Sequence, residues 1–248
     1  MRLEVIFEDE DYVAINKPAG VMVHKTPLEK DPSTLFAVQL LRNQLGTRVY
    51  PLHRLDRPTS GVLLFAKSSE AASLLQPAFA GNSIKKYYLA VIRGYAPEAH
   101  GIIEQDLAKD LNGIPQEAIT EYWELSRSEV PMASSPRHQT SRYALIRIYP
   151  HTGRMHQIRR HMAHIRHYII GDSTHGDNKQ NKFFRQAFGL QELLLHSLHL
   201  SFPHPISGET TNIKAGLPGY FEKMVNTLNL KFSDKDGYSS SKGEDSRG

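Results

Sequence analysis

The chain contains no cysteine. That excludes disulfides, thiolate metal sites and cysteine nucleophiles, and it fits a reducing compartment. No apolar run approaches the roughly 20 residues of a membrane-spanning helix, so no membrane partner is expected. The opening Met1-Arg2-Leu3-Glu4-Val5-Ile6-Phe7-Glu8-Asp9-Glu10-Asp11 is too short and too acidic for a signal or transit peptide. A soluble, cytoplasmic protein is the expectation. No internal repeat is present. Acidic residues are missing from one long stretch, with none between Glu129 and Asp172.

That stretch is instead basic. It holds seven arginines from Arg137 to Arg166, six histidines and no lysine. Arginine without lysine suits bidentate phosphate contacts and stacking, although a solvated basic face is the plain alternative. Net charge is +4, a mild hint of a polyanionic partner. The 248 residues, 40% hydrophobic and 23% charged, are enough to bury a substantial core.

Apolar runs at Leu3 to Phe7 and Tyr12 to Ile15 predict two strands joined by an acidic turn. Ser33 or Thr34 is placed to cap a helix over Leu35, Phe36, Val38, Leu41 and Leu45, stopped by Gly46. Val62 to Ala66 reads as a buried strand. Ser68 or Ser69 caps a helix over Glu70 to Ala80 that Pro77 should kink or shorten. Tyr87 to Ile92 and Tyr143 to Tyr149 read as strands, with strands and a long irregular loop between Pro97 and Pro136. Arg154 to Ile165 presents Ile158, Met162 and Ile165 on one helix face. Leu193 to Phe202 is strand-like and Leu217 to Leu228 a final helix. The fold class this predicts is α+β, or mixed α/β, with a largely antiparallel sheet and not a doubly wound nucleotide fold. Residues 1–230 form one domain, and residues 231–248, rich in serine, glycine and charge, a disordered tail.

Asp56 stands between Arg54 and Arg57, in a segment that ends Pro58-Thr59-Ser60-Gly61 at the entrance of an apolar strand. Proline and glycine fix an irregular backbone there, a common way to present a functional side chain. Two arginines would hold the carboxylate ionised, as a nucleophile or base requires. On spacing alone, a turn aspartate paired with one of its neighbours explains the segment as well. Taken by itself, Tyr88 reads first as a core tyrosine of its strand.

His53-Arg54-Leu55-Asp56-Arg57-Pro58-Thr59-Ser60-Gly61 resembles the signature of the RluA family of pseudouridine synthases. Four further segments follow in the family's order: Lys17-Pro18-Ala19-Gly20, Lys86-Tyr87-Tyr88-Leu89-Ala90, Thr152-Gly153-Arg154-Met155-His156-Gln157-Ile158-Arg159-Arg160-His161, and Ile169-Ile170-Gly171-Asp172. The resemblance runs from about Val5 to about Leu217. It implies a pseudouridine synthase catalytic domain with an active-site cleft across the sheet. It also implies Asp56 as the catalytic carboxylate, Arg159 as its partner and Ile158 as a pocket wall. Tyr88 is implied to stack on the target base, and Arg54 to fill or steer the space that base leaves. Arg57, Arg154, Arg160 and Arg166 are expected to contact RNA.

The reaction implied breaks the N1–C1′ bond of a uridine and rejoins the base through C5. It involves no redox change and no group donor, so no cofactor and no metal are expected. Residues His161 to Asp177 with Asn178-Lys179-Gln180-Asn181, and Val130-Pro131-Met132-Ala133 before Thr140, are similar to the subgroup that modifies uridine 65 within a stem of tRNA. That subgroup carries Arg166 and His175 where glycine and tyrosine are usual. Tyr168 departs from the pattern, which has proline there. The start directly in the catalytic domain, without the small RNA-binding domain of some ribosomal members, points the same way. The implied partner is tRNA, ribosomal RNA being the alternative, and the chain is expected to act as a monomer. Two readings of other classes remain. His161, His164 and His167 with Asp172 and His175 suggest a metal-dependent hydrolase, but no His-Glu-x-x-His pattern is present. A non-catalytic RNA-binding module would account for the basic stretch and leave the Asp56 segment unexplained.

Overall fold

Alternation along the strands decides which face of the sheet each residue joins. In β2 (Tyr12–Lys17), Val13 and Ile15 enter one core cluster while Tyr12 and Ala14 enter another. All seven residues of β4 (Ser60–Ala66) are buried, because helices cover the sheet on both sides. The structure, a computed structural model, describes residues 1–25, 29–81, 83–108 and 113–232. Among them are ten strands of one sheet and five helices.

The remaining strands are β1 (Glu4–Glu8), β3 (Tyr50–Pro51), β5 (Lys85–Arg93), β6 (His100–Glu104), β7 (Ile119–Val130), β8 (Ser141–Pro150), β9 (Leu195–Pro203) and β10 (Thr210–Lys214). The sheet runs β1-β2-β4-β9-β5-β8-β7-β6, with β3 beside β4 and β10 beside β9. Every pair is antiparallel except β4 with β9. At that parallel pair Gly61 has φ +109, and a Cβ there would stand 2.1 Å from the Ser197 carbonyl oxygen. Glycine is therefore required where the Asp56 segment feeds β4 into the sheet.

One face carries α1 (Ala37–Leu45) and α3 (Gln157–His164), whose Leu41, Ile158 and Met162 join Ile15, Phe65, Ala90 and Ile146. The other carries α2 (Ser69–Ala80), α4 (Asn178–Phe188) and α5 (Gly219–Thr227). The expected mixed, largely antiparallel architecture is what the chain builds.

Several boundaries differ from the sequence expectation. Helix α1 starts after Phe36 with no side-chain cap. Ser33 instead spends its hydroxyl on Asp31, and Phe36 bridges to Met22 in extended conformation. Ser68 does cap α2, accepting from the Ala71 N–H, but Pro77 does not shorten the helix, which runs on to Ala80. Pro77 removes only one late backbone donor, while Ala71 and Leu75 anchor the helix in the core. Between Pro97 and Pro136 the expected strands are there, β6 paired with the twelve-residue β7 at the edge of the sheet, and 109–112 in the irregular connection between them lie outside the described residues. Lys231 donates its N–H to the Ser126 hydroxyl and Phe232 packs on the core. The rest of the expected tail, 233–248, lies outside the described residues.

Candidate active site

Asp56 sits in the irregular segment between β3 and β4. The Thr59 N–H closes a turn onto the Asp56 carbonyl, and the Arg57 carbonyl accepts from the Gly20 N–H. The same carbonyl receives the ammonium of Lys17 at 3.2 Å, and Lys17 also donates to Pro18 and Val21 carbonyls at 2.9 and 2.8 Å. Lys17 is fully buried. Burial pulls its pKa down to about 7, with Asp56 acting in the opposite sense. The Lys17-to-Gly20 turn is thereby tied to the backbone beside Asp56. His53 fixes the other end of the segment. Burial, reinforced by Lys86, pushes its pKa down to about 3, so the neutral ring accepts the Leu64 N–H at 3.1 Å and stacks on Phe79.

Asp56 meets α3 from across the sheet. Arg159 donates from Nη1 to Asp56 Oδ2 at 3.1 Å. Its other edge grips Asp172 in a fork, Nε to Oδ2 at 2.8 Å and Nη2 to Oδ1 at 2.7 Å. Arg159 and Asp172 side chains are 3% and 1% exposed, against 17% for Asp56. Desolvation opposes charge on both buried groups, yet the pairing wins: Asp172 lies below its ordinary value and Arg159 above. The Thr174 and His175 N–H groups add to the hold on Asp172. Gly171 brings Asp172 to this point. Its φ is +82, and a Cβ there would stand 1.9 Å from the Glu192 carbonyl oxygen.

Two cavities meet at Asp56, sharing Arg54, Leu55, His156 and Arg159. The one of about 490 Å³ is walled by Tyr88, Ile158, Lys86, Phe79 and Leu195. The other, about 670 Å³, opens between Ala19–Gly20, Ser173–Thr174 and Gln191–Leu193. Tyr88 is 8% exposed. Burial pushes its hydroxyl to about 12, opposed by Ser197 and helped by Asp56. The arrangement is a carboxylate with a fixed positive partner, at the mouth of a pocket with an aromatic and aliphatic wall. Such an arrangement can hold a planar group against the wall beside a carboxylate able to act as nucleophile or base.

The residues named from sequence separate here. Asp56, Arg54, Tyr88, Ile158 and Arg159 share one cavity. Arg57 turns away from Asp56, bonding the Gly20 carbonyl and pairing with Glu29 at 3.3 Å. The expectation that two flanking arginines hold the carboxylate is thus corrected, because Arg159 does so from α3. Arg154 lines the same cavity and bonds the Glu117 carbonyl; Arg160 bonds the Ala108 carbonyl. Arg166 is exposed beyond the far end of α3, outside both cavities. Among the described residues no three metal-ligating side chains come together. His161 and His167 engage the Gln105 and Arg93 carbonyls instead.

Sequence reasoning gave no role to Lys17 or His156, and named His175 and Asp172 only as motif residues and as ligands in the rejected metal-site reading. His156 Nε2 is 3.8 Å from Asp56 Oδ1, and its Nδ1 is 2.9 Å from His175 Nε2. The three lie in motif segments, so their positions were visible although their contacts were not. Among the described residues, no helix is long and apolar enough to cross a membrane.

Comparison with known proteins identifies the family. Residues 11–164 match the family model described as RNA pseudouridylate synthase. The chain is 46% identical over 234 residues to tRNA pseudouridine synthase C of Vibrio parahaemolyticus, covering 90% of this chain and 94% of that protein. With the Yersinia pestis protein of the same name it shares 48% identity over 223 residues, 86% of each. The solved structure of human RNA Pseudouridylate Synthase Domain Containing 4 superposes with a TM-score of 0.72 at 22% identity, over 92% of this chain and 94% of that one, a likeness of fold.

Proposed function

The chain belongs to the RNA pseudouridylate synthase family, and from that premise we propose that it converts uridine 65 of tRNA to pseudouridine. The relatives' names support tRNA as the substrate class; the subgroup-like residues from His161 to Asn181 support the position. The observation that carries the reading is the Asp56–Arg159–Asp172 chain at the junction of the two cavities.

In this reading Asp56 is the catalytic carboxylate. It acts at the ribose, as nucleophile at C1′ or as base on an adjacent proton, and Arg159 keeps it aimed while RNA excludes water. A uridine in a stem must leave its stack before it reaches the pocket. Arg54, exposed at the rim, fills or steers the vacated space, and Tyr88 and Ile158 hold the base. Arg154 and Arg57, which line the two cavities, contribute phosphate contacts at the cleft, with Arg160 and Arg166 further out. Breaking N1–C1′ and forming C5–C1′ needs no redox change and no group donor, and the proposed reaction uses no cofactor and no metal.

The test is conversion of unmodified tRNA transcripts by purified protein in the presence of a chelator. Pseudouridine is mapped by chemical labelling and primer extension. Product at position 65 is expected, and Asp56→Asn binds tRNA with no product. Full activity of Asp56→Asn overturns the role of the aspartate. Product only in ribosomal RNA overturns the substrate.

A further inference from the structure

One group in the cleft has no part in the reading above. His156 opens α3 with φ +54, the left-handed region that a non-glycine residue adopts only when its surroundings hold it there. What holds it is a short chain of side chains. Nε2 points toward Asp56 Oδ1 at 3.8 Å, and Nδ1 meets His175 Nε2 at 2.9 Å. His175 is fixed in turn by its backbone N–H on Asp172. His156 lines both cavities, so its imidazole borders the pocket that takes the base.

We propose that His156 is a catalytic base that removes the C5 proton of the rotated uracil and passes it through His175 toward solvent. The inference rests on the function proposed above. Once C5 has bonded to C1′, that carbon still carries its original hydrogen. In the proposed step the C5–H electron pair becomes the C5=C6 bond, and the N1=C6 pair moves onto N1. N1 takes one proton from water while His156 Nε2 takes the one leaving C5. Proton count and electron count both close.

Three observations support His156 over its neighbours. Asp56 is committed to the ribose. Tyr88, with its hydroxyl pushed to about 12 by burial, is a poor acceptor from carbon at neutral pH. The two imidazoles share one hydrogen bond, so with a proton on Nδ1 donated to His175, His156 Nε2 presents a lone pair to the pocket. Burial is the main cause that lowers both histidines, and the charged groups around them act in both directions. Asp56 and Asp172 favour the imidazolium of His156 while Arg159 and Arg54 oppose it. His175 faces Asp172 on one side and Arg159, Arg160 and His156 on the other.

The experiment is single-turnover kinetics on tRNA carrying 5-deuterouridine or ordinary uridine, with wild type, His156→Asn and His175→Gln. Asparagine tolerates φ > 0, so His156→Asn keeps the backbone, and tRNA affinity and melting temperature check it. Expected is a fall of about 10²- to 10³-fold for His156→Asn, with a deuterium effect of about 2 or more that wild type lacks. His175→Gln is expected to fall about tenfold and to show the same isotope effect. A folded, tRNA-binding His156→Asn that keeps its rate, or that slows with no deuterium effect, overturns the proposal. Absence of pseudouridine from the wild-type reaction overturns the functional reading, and this inference with it.

Discussion

Asp172→Asn is the sharpest probe of the site's electrostatics. The substitution removes one negative charge and keeps the shape. Two charge-assisted bonds from Arg159, at 2.7 and 2.8 Å, lose their anionic acceptor, and the new amide presents a donor to a guanidinium that has none to accept it. Arg159, 3% exposed, is left with Asp56 as its remaining anion. Breaking a buried pair in this way costs about 3–5 kcal/mol. In a chain of this size that lowers the melting temperature by roughly 6–20 °C. The Asp56 contact runs through the same guanidinium, so loosening it by a fraction of an ångström should slow product formation by about 10²-fold. Thermal unfolding followed by circular dichroism, with single-turnover kinetics on tRNA, reads both effects.

The pH dependence gives the prediction a second edge. The folded Asp172 carboxyl is held below its usual range, so on acidification the unfolded chain takes up that proton first. Its stabilisation is complete above the ordinary carboxylate value of about 3.9 and is lost as pH falls through the lower folded value. The gap in melting temperature between wild type and Asp172→Asn should be constant from about pH 7 to 5 and shrink below about pH 4. A gap under about 2 °C at pH 7 would refute the reasoning, because the fork would then contribute less than about 1 kcal/mol.

Three further outcomes follow from single contacts. Gly171→Ala forces a side chain at φ +82 against the Glu192 carbonyl, which should cost roughly 2–5 kcal/mol; an unchanged denaturant midpoint would contradict the close approach. Arg57→Ala breaks an exposed pair with Glu29, so stability should fall by less than about 1 kcal/mol with kcat unchanged, and a hundredfold loss of kcat would return Arg57 to the catalytic centre. Tyr88 stays protonated to about pH 10 because burial raises it to about 12, so rate–pH profiles of wild type and Tyr88→Phe should run parallel to that pH. An alkaline limb that disappears with Tyr88→Phe would count against this.

Buried elements were legible because their pattern has one explanation. β4 reads as a continuous apolar run because helices cover both faces, and α3 shows its period through Ile158 and Met162. Elements at the margin were not. β7 alternates Thr120 and Tyr122 inward with half-exposed Glu121 and Trp123, and its charges hide the bounds of the strand when the partner strands are unknown. Helix α4 hides for a similar reason: its core contact rests mainly on Phe184, with Asp177 capping a polar first turn. The start of α1 was misplaced because a serine able to cap bonded a nearer acceptor, Asp31.

The site divides along the same line between local and long-range information. Arg54 and Arg57 flank Asp56 in sequence, and adjacency made them its natural partners. In an irregular segment, successive side chains point apart, and the real partner lies 103 residues away. Composition alone offers seven arginines between Arg137 and Arg166 and no means of choosing among them. The family resemblance selected Arg159, and the fork to Asp172 supplies the physical reason: a guanidinium must be gripped on one edge to aim the other. The histidine pair lay beyond both routes. Its significance comes from a left-handed backbone at His156 and a 2.9 Å contact across nineteen residues, which neither periodicity nor a motif encodes. Residues of this kind become visible only when the helix start, the Gly171 turn and the Asp56 segment are brought together.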